Sequence, residues 1–197
     1  MARIPKITNQ QILDAACEIF LEQGFGASTL EIAQKAGISE ASIFKRFSTK
    51  KELFFASMGI PETSPLGNKL DALIGKGNLK QNLIQLSLEI LEFNRQVMPR
   101  LMMLRSRGNS IPEIFTTEDS PPSRNLKTFT KFLEREMEQK RLRSSNPEAI
   151  AMIFLGSLMN YVFLEQMQSP ENITPEDKKF AEHLVDIIWA GIAPFED

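Results

Sequence analysis

Apolar residues recur every three or four positions along most of the chain, the spacing that places them on one face of an α-helix. In residues 8–23 this spacing is followed by Ile12, Ala16, Ile19 and Phe20, and Gly24 is expected to end the helix. No segment shows the apolar and polar alternation that is typical of a half-buried strand. The pattern therefore predicts an all-α protein.

Residues 29–53 predict two short helices joined by a tight turn, followed by the start of a third helix. We expect Thr29 to cap the first of these helices, Gly37 to form the turn and Ser39 to cap the second. Ile43 and Phe47 lie four residues apart, so both are predicted to face inward. The inner face of the preceding helix is predicted to consist of Leu30, Ile32, Ala33 and Ala36. This is a helix-turn-helix, whose second helix fits the DNA major groove.

The outer side of that second helix is left with Glu40, Ala41, Ser42, Lys45 and Arg46. Ala41 and Ser42 are short enough to let the helix approach base edges, where Ser can hydrogen-bond and Ala can touch a thymine methyl. Lys45 and Arg46 are candidates for phosphate or guanine contacts. Glu40 leaves two interpretations open: an acceptor for cytosine N4, or a helix-start charge stabilised by the helix dipole.

A larger helical region follows, because the pattern is broken at Gly59, Pro61 and Pro65 and again at residues 75–77. We place the joint there and predict a three-helix DNA-binding domain at residues 1–55 and a ligand-binding and dimerisation domain at residues 56–197. A long amphipathic helix is predicted from residue 79, with Pro99 kinking or ending it. Residues 108–123 are predicted to form a surface connection that could line an opening, and a helix to follow at 123–143.

The segment Pro147–Met167 is unusual because residues 149–164 carry no charge. We expect this helix to be buried on nearly its whole circumference. The competing membrane span needs roughly 20 apolar residues, and this run is shorter and includes Gly156, Ser157 and Asn160. With the amphipathic helix at 175–192 it forms the candidate homodimer interface, an intersubunit four-helix bundle. The residues predicted for it are Phe154, Tyr161, Phe180, Leu184, Ile187 and Ile188.

The N-terminal segment resembles the TetR family of bacterial repressors. The resemblance is carried by Phe20, Gly24 and Thr29, by GIS at 37–39, IFKRF at 43–47, and by Lys50 and Leu53. It implies a role for Lys50 in gripping a phosphate at the start of the third helix. Two positions depart from the family: Phe44 replaces a Tyr that usually bonds a phosphate, and Arg46 stands where Tyr or His is common. The DNA-binding residues predicted are Thr29, Ser39, Glu40, Ala41, Ser42, Phe44, Lys45, Arg46 and Lys50.

The family resemblance also implies an inducer cavity between the helices of the larger domain. The large apolar side chains and the methionines there suit an unidentified, largely apolar small-molecule ligand. Arg105, Asn160 and Tyr161 could orient such a ligand, although each of these residues also has an ordinary structural interpretation. The predicted ligand-binding residues are Leu101, Met102, Arg105, Phe129, Phe132, Phe154, Leu158 and Tyr161.

The distribution of charge along the chain favours a sequence-specific DNA-binding protein. The chain carries −2 overall, whereas residues 1–55 hold seven cations and six acids, a balance of +1. Four of those cations lie within residues 45–51. A local basic patch is more typical of a sequence-specific DNA-binding protein than of a non-specific one, which needs many phosphate contacts. The lone Cys17 excludes a disulfide framework and, with no leader pattern at the start, predicts a cytoplasmic protein with no membrane segment.

Little in the sequence supports catalysis. His183 and Cys17 are far apart, so neither a metal-ligand spacing nor a nucleophile dyad is present, and we expect no enzyme activity, metal or cofactor. The sequence predicts a homodimeric transcriptional regulator, a repressor, that binds a pseudo-palindromic double-stranded DNA operator and is released by its ligand. The alternative is a helical ligand- or protein-binding dimer that has lost operator recognition.

Overall fold

A computed structural model of the chain describes residues 8–60, 66–108, 120–167 and 176–193. These residues are helical and contain no strand, which confirms the all-α prediction. The helices are α1 (Asn9–Gln23), α2 (Thr29–Ala36), α3 (Glu40–Phe44), α4 (Lys50–Ser57), α5 (Gly67–Leu73), α6 (Leu79–Ser106), α7 (Pro121–Glu138), α8 (Pro147–Met167) and α9 (Asp177–Ile192).

The chain forms two compact units. The first comprises Met1–Glu62 and Pro99–Phe115, and the second comprises Thr63–Met98 and Thr116–Asp197. The division places Pro99–Phe115 with the DNA-binding segment, a long-range association that the predicted linear boundary at residue 55 does not include; that boundary stays a prediction. Helix α6 does not end at Pro99 but continues to Ser106, so one helix contributes residues to both units. The predicted breaks at Pro61 and Pro65, and most of the predicted connection at 108–123, lie outside the described residues.

The first unit is held by an aromatic core between α1 and α4. The ring of Phe54 packs edge-on against Phe20, with 5.1 Å between the centroids, and against Phe25 at 5.2 Å. Phe20 and Phe54 are fully buried. Helix α1 begins with a capping box, in which the Thr8 hydroxyl accepts from the amide of Gln11 and the Gln11 side chain accepts from the amide of Thr8. Gly24 ends the helix at a φ of 73°, as predicted.

The second unit has its core where α7 and α8 pack together. Phe129 stacks on Phe154 with 4.8 Å between ring centroids, and Phe132 lies 5.9 Å from Phe129. All three rings are buried, together with Leu158 and Val162 of α8. A continuous apolar core therefore runs along one face of α8.

A partly buried ion cluster joins three helices of the second unit. Arg95 of α6 donates to both carboxylate oxygens of Glu165 on α8, at 2.7 and 2.9 Å, and to both of Asp177 on α9, at 2.6 Å. The hydrogen bonds to Asp177 and Glu165 raise the pKa of Arg95 further above its ordinary value, so the guanidinium remains charged. Beside it, Tyr161 of α8 stacks on Phe180 of α9 at 4.0 Å. These contacts fix the C-terminal half of α8 against α6 and α9.

Within a single chain, α8 is not buried around nearly its whole circumference. Its buried stripe contains Ile150, Ala151, Phe154, Leu158 and Val162. The opposite side leaves large apolar residues exposed in this chain: Met152, Ile153, Met159, Phe163, Leu164 and Met167. Among the described helices, α8 is the one that is long and apolar enough to cross a membrane, with a mean hydropathy of 1.5. The absence of charge thus reflects two apolar faces, of which only one is covered within the chain.

The turn between α5 and α6 is fixed by a buried carboxylate rather than left as a free joint. Glu136 of α7 is completely buried and accepts a hydrogen bond from the amide of Gly75 at 2.7 Å. Its second oxygen lies 3.3 Å from Nε of Arg141, whose Nη2 donates to the carbonyl of Gly77 at 2.7 Å. Gly75 has a φ of 69°, a left-handed conformation that suits glycine. The predicted break at 75–77 is therefore a turn tied to α7 within the second unit.

We expect Glu136→Ala to lower the free energy of unfolding by about 2–4 kcal/mol, because it leaves the Gly75 amide and the Arg141 guanidinium without their carboxylate. Urea denaturation followed by circular dichroism measures the change. Glu134→Ala, at an exposed position of the same helix, is the matched control and should change stability by less than about 0.5 kcal/mol. Equal effects of the two substitutions would contradict a fixing role for Glu136.

Candidate nucleic-acid interface

Helix α2 begins one residue earlier than the sequence suggested. Ser28 is the N-cap and its hydroxyl accepts from the amide of Leu30 at 3.2 Å, so Thr29 is the first helical residue and its predicted capping role is wrong. Ile32 and Ala33 are buried as predicted. Leu30, predicted to face inward, is 52% exposed because it lies on the outer side of the first turn.

The turn between α2 and α3 has the predicted geometry. Gly37 adopts a left-handed conformation with φ 69° and ψ 32°, which other residue types adopt only with strain. The amide of Ile38 then donates to the carbonyl of Ala33 at 3.0 Å, closing the end of α2. The chain reverses within two residues and enters the cap of α3.

Helix α3 is five residues long and is capped by Ser39, as predicted. The Ser39 hydroxyl accepts from the amide of Ser42 at 3.3 Å, and the two hydroxyl oxygens lie 2.8 Å apart. Ile43 and Phe47 are buried, with exposed fractions of 0% and 6%, which confirms that they anchor the helix. This anchoring determines which side of α3 faces outward.

The outward side of α3 contains Ala41, Phe44 and Lys45, all exposed. Ser42 and Arg46 are half-buried, so the two predicted cations differ: Lys45 is in solvent, whereas Arg46 lies partly against the protein. Exposed Leu30 of α2 and Phe44 add apolar surface, which sequence reasoning missed for Leu30 because periodicity alone assigned it to the core. A side chain of either type can contact a thymine methyl.

Glu40 has a partner that neither interpretation of it included. The Thr29 hydroxyl donates to its carboxylate Oε1, which links the first turn of α2 to the first turn of α3. Both residues are half-buried. This hydrogen bond gives both predicted site residues a structural role, because it orients their side chains beside the turn between α2 and α3.

Lys50 lies at the start of α4, the position predicted for a phosphate contact. Thr49 caps this helix by accepting from the amide of Glu52 at 3.0 Å, and Glu52 in turn accepts from the amide of Ser48 at 2.7 Å. The Lys50 ammonium lies 5.1 Å from the centroid of the Phe25 ring, a cation–π arrangement. Burial lowers the pKa of Lys50. The side chain is thus held against the aromatic core at the helix start.

The predicted ligand-binding residues fall into different parts of the chain. Leu101, Met102 and Arg105 belong to the first unit, and Arg105 is exposed. In the second unit, Tyr161 is half-buried against Phe180. The others pack within the core of that unit: Phe129, Phe132, Phe154 and Leu158. Their core role is evident from the packing, and a ligand role for them stays a prediction.

The predicted interface residues are likewise not all on the surface. Phe154 and Leu184 are buried within the chain, at 1% and 9% exposed, so neither presents surface to a second copy. Phe180 and Ile188 are partly buried. Ile187 of α9 is 74% exposed. The exposed positions missed by the sequence are those on the outer side of α8, because its uniformly apolar pattern gave no sign of which side is inner.

Comparison with known proteins places this chain among bacterial regulators. Residues 12–57 match the family model of bacterial regulatory proteins, tetR family. Over 190 residues the chain is 25% identical to the uncharacterized HTH-type transcriptional regulator YvkB of Bacillus subtilis, covering 94% of this chain and 97% of YvkB.

Two solved structures share the fold. NalD of Pseudomonas aeruginosa, described as the secondary repressor of the MexAB-OprM multidrug efflux pump, is 19% identical, with a TM-score of 0.54 and coverage of 93% of this chain and 95% of that one. A SmeT–triclosan complex is 20% identical, with a TM-score of 0.56 and coverage of 93% and 90%.

The matched residues 12–57 include α2, the Gly37 turn, α3 and α4, the elements that build the outward surface described above. Residues 12–57 thus form a DNA-binding segment of the helix-turn-helix type that belongs to the tetR family of bacterial regulatory proteins, and the chain as a whole is similar to transcriptional regulators.

Proposed function

We propose that the protein is a homodimeric repressor whose two copies of α3 enter successive major grooves of a pseudo-palindromic operator. The observation that carries the proposal is the orientation of α3: Ile43 and Phe47 are buried, while Ala41, Phe44 and Lys45 are exposed on the opposite side. Two such helices in a dimer require half-sites about 34–36 Å apart, one helical turn of DNA.

Each predicted DNA-contacting residue has a part in this proposal. Ala41 and Phe44 face the bases, and Lys45 binds a phosphate or guanine. Lys50 approaches a phosphate from the start of α4, where the helix dipole adds to its charge. Thr29 with Glu40, and Ser39 with Ser42, position the two helices through their hydrogen bonds. Arg46 braces α3 with its half-buried side chain and reaches the DNA backbone with its charge.

The dimer is proposed to form through the exposed apolar stripe of α8 and the neighbouring surface of α9. Met152, Met159 and Phe163 recur along α8 at helical spacing, so they lie on one side. Gly156 lies between them, and a side chain there would meet nothing within 4 Å. A small residue in an apolar stripe allows a second helix to approach closely. An apolar surface of this kind is costly in water unless a partner covers it.

A bilayer is the competing cover for this stripe. The opposite side of α8 is occupied by α7, since Phe154 stacks on Phe129, and its C-terminal half is tied through Glu165 to Arg95. A helix packed in this way cannot be surrounded by lipid without dismantling the core of the second unit. We therefore favour a second copy of the chain and a cytoplasmic protein.

Release by a small-molecule ligand completes the proposal. A ligand that binds better when the two DNA-binding units are mis-spaced would shift the population toward that arrangement and lower operator affinity. The fold shared with SmeT, solved as a triclosan complex, and with NalD, described as a repressor, supports this choice. The alternative, a helical dimer without operator recognition, is favoured by Phe44 at the position of the usual Tyr and by the near-neutral charge of residues 1–55.

We expect Lys45→Ala to weaken binding to operator DNA about fivefold and to reduce the slope of log affinity against log salt by about 1, because one phosphate contact is lost. Fluorescence anisotropy at several salt concentrations, with DNA from upstream of the gene or selected from random sequence, measures both. Lys35→Ala is the control, because Lys35 of α2 pairs with Glu18 of α1. Unchanged affinity of Lys45→Ala for every DNA tested would favour the alternative function.

The Thr29–Glu40 hydrogen bond predicts a measurable coupling. Thr29→Val and Glu40→Ala should each lower stability, and a double-mutant cycle should give a coupling energy of about 0.5–1.5 kcal/mol from chemical denaturation. A coupling near zero would show that the contact contributes nothing. Glu40→Gln tests whether Glu40 also contacts a base. Its affinity is measured for operators in which single cytosines are replaced, and loss of discrimination at one position would identify the cytosine that Glu40 contacts.

The dimer proposal predicts a mass of twice 22.3 kDa in light scattering. Phe163→Asp combined with Ile187→Asp should yield a folded monomer, because two charges would have to be buried in an apolar interface. Leu30→Asp is the control, since Leu30 is an exposed apolar residue of the first unit. A dimer unaffected by the double substitution, or a wild-type monomer, would contradict this interface.

A further inference from the structure

A groove in the first unit is unused by the DNA-binding surface. It has a volume of about 460 Å³ and lies between α1, the end of α4 and the last turns of α6. We refer to it as the α1–α4–α6 groove. Its lining residues are Gln10, Leu13 and Cys17 of α1, Ala56–Gly59 at the end of α4, and Pro99, Arg100 and Met103 of α6. The volume is within the range of about 300–1,000 Å³ that is typical of small-molecule sites.

Arg100 supplies the cationic group of this groove. Its Nε donates to the carbonyl of Met58 at 2.8 Å, which fixes the guanidinium plane across the end of α4. That bond uses one of the five donors of the side chain. Among the described residues, Arg100 makes no second hydrogen bond. The two terminal nitrogens retain the forked geometry that binds a carboxylate through two parallel hydrogen bonds.

Gly59 lies directly beside this guanidinium. A side chain at Gly59 would place its Cβ 3.4 Å from Nη2 of Arg100, and the residue has a φ of +60°. The left-handed backbone favours glycine here, whereas the distance to Arg100 is an ordinary van der Waals contact. Arg100 thus lies over the end of α4, and its side chain is half-buried.

Apart from the polar side chains of Gln10 and Ser57, the remaining lining residues are apolar, and three of them contain sulfur. Leu13 and Cys17 of α1 lie one turn apart, and Met58 and Met103 approach from α4 and α6. Met103 is 46% exposed, so its thioether lies at the open side of the groove. Methionine sulfur makes favourable contacts with aromatic rings and adapts its conformation to their shape. The walls therefore favour a planar aromatic body.

We propose that the α1–α4–α6 groove binds a small aromatic carboxylate, with the carboxylate on the terminal nitrogens of Arg100 and the ring between Leu13, Met58 and Met103. This site is separate from the predicted ligand residues Phe129, Phe132, Phe154 and Leu158, which belong to the other unit. It also does not depend on operator binding, so its test stands apart from that of the proposed function.

Cys17 provides a local reporter for occupancy, because it is the single cysteine of the chain and lines the groove. Burial, then Asp14 and Glu18, raise the pKa of its thiol, so alkylation should be slow at pH 7 and accelerate as the pH rises. We therefore measure the rate of Cys17 alkylation by iodoacetamide at pH 8.5 with mass spectrometry. The probe is 2-naphthoate and the neutral control is 2-naphthalenemethanol. Methionine methyl NMR of ¹³C-labelled protein locates the probe.

We expect saturable protection of Cys17 by 2-naphthoate, with shifts of the Met58 and Met103 methyl signals. The alcohol should bind about tenfold more weakly, the difference made by one charge-assisted pair. Arg100→Gln should remove that preference, whereas Arg124→Gln, at an exposed arginine of the second unit, should retain it. Met103→Trp, which fills the groove and leaves Arg100 in place, should weaken both compounds.

Three results would overturn the proposal. The first is no protection of Cys17 and no shift of Met58 or Met103 at millimolar 2-naphthoate. The second is equal affinity for acid and alcohol in the wild-type protein. The third is a response confined to Met152 and Met159, which would locate binding on α8. Circular dichroism of Arg100→Gln separates loss of binding from loss of folding, and Met103→Trp provides a second test if that variant is unfolded.

Discussion

The DNA-binding surface depends on the burial of Ile43 and Phe47. Helix α3 has five residues, far fewer than the roughly 12–15 that an isolated helix needs for stability in water. Its conformation must therefore be supplied by tertiary contacts. Ile43 is fully buried, and the cap at Ser39 satisfies an amide that would otherwise be unpaired. The same burial that stabilises α3 decides which residues face outward, so the fold and the reading surface share one cause.

Local signals in the sequence were sufficient where the physical cause is local. Gly37 predicted a left-handed turn and Ser39 a cap, because both depend on residues within one turn of the helix. The cap of α2 was misplaced because Ser28 and Thr29 are adjacent hydroxyl residues with similar capping ability, and the pattern does not distinguish them. Leu30 was misassigned for a related reason: a helix of eight residues samples its apolar period barely twice.

Contacts between distant residues could not be predicted in the same way. Glu136 is completely buried although carboxylates are rarely so, and only the fold shows that the amide of Gly75, at a sequence separation of 61, is its partner. Nothing in a single sequence relates positions so far apart. The buried side of α8 could not be predicted for a different reason: an apolar residue looks the same in the sequence whether its own chain or another molecule covers it. Only the packing of α7 on one side of α8 shows that the stripe containing Met159, on the other side, is exposed.

Two arginines five residues apart on α6 show how this helix connects the chain's two functions. Arg95 is held by Glu165 and Asp177 in the second unit, whereas Arg100 is held by the carbonyl of Met58 in the first. Both restraints act on one continuous helix, but Pro99 lies between the two arginines and has no amide to donate to the carbonyl of Arg95. A coupling between the two restraints would therefore have to pass through the turn of α6 that contains Pro99. Coupling between ligand and DNA requires two states that differ in such a restraint, and α6 is the described element in which both are anchored.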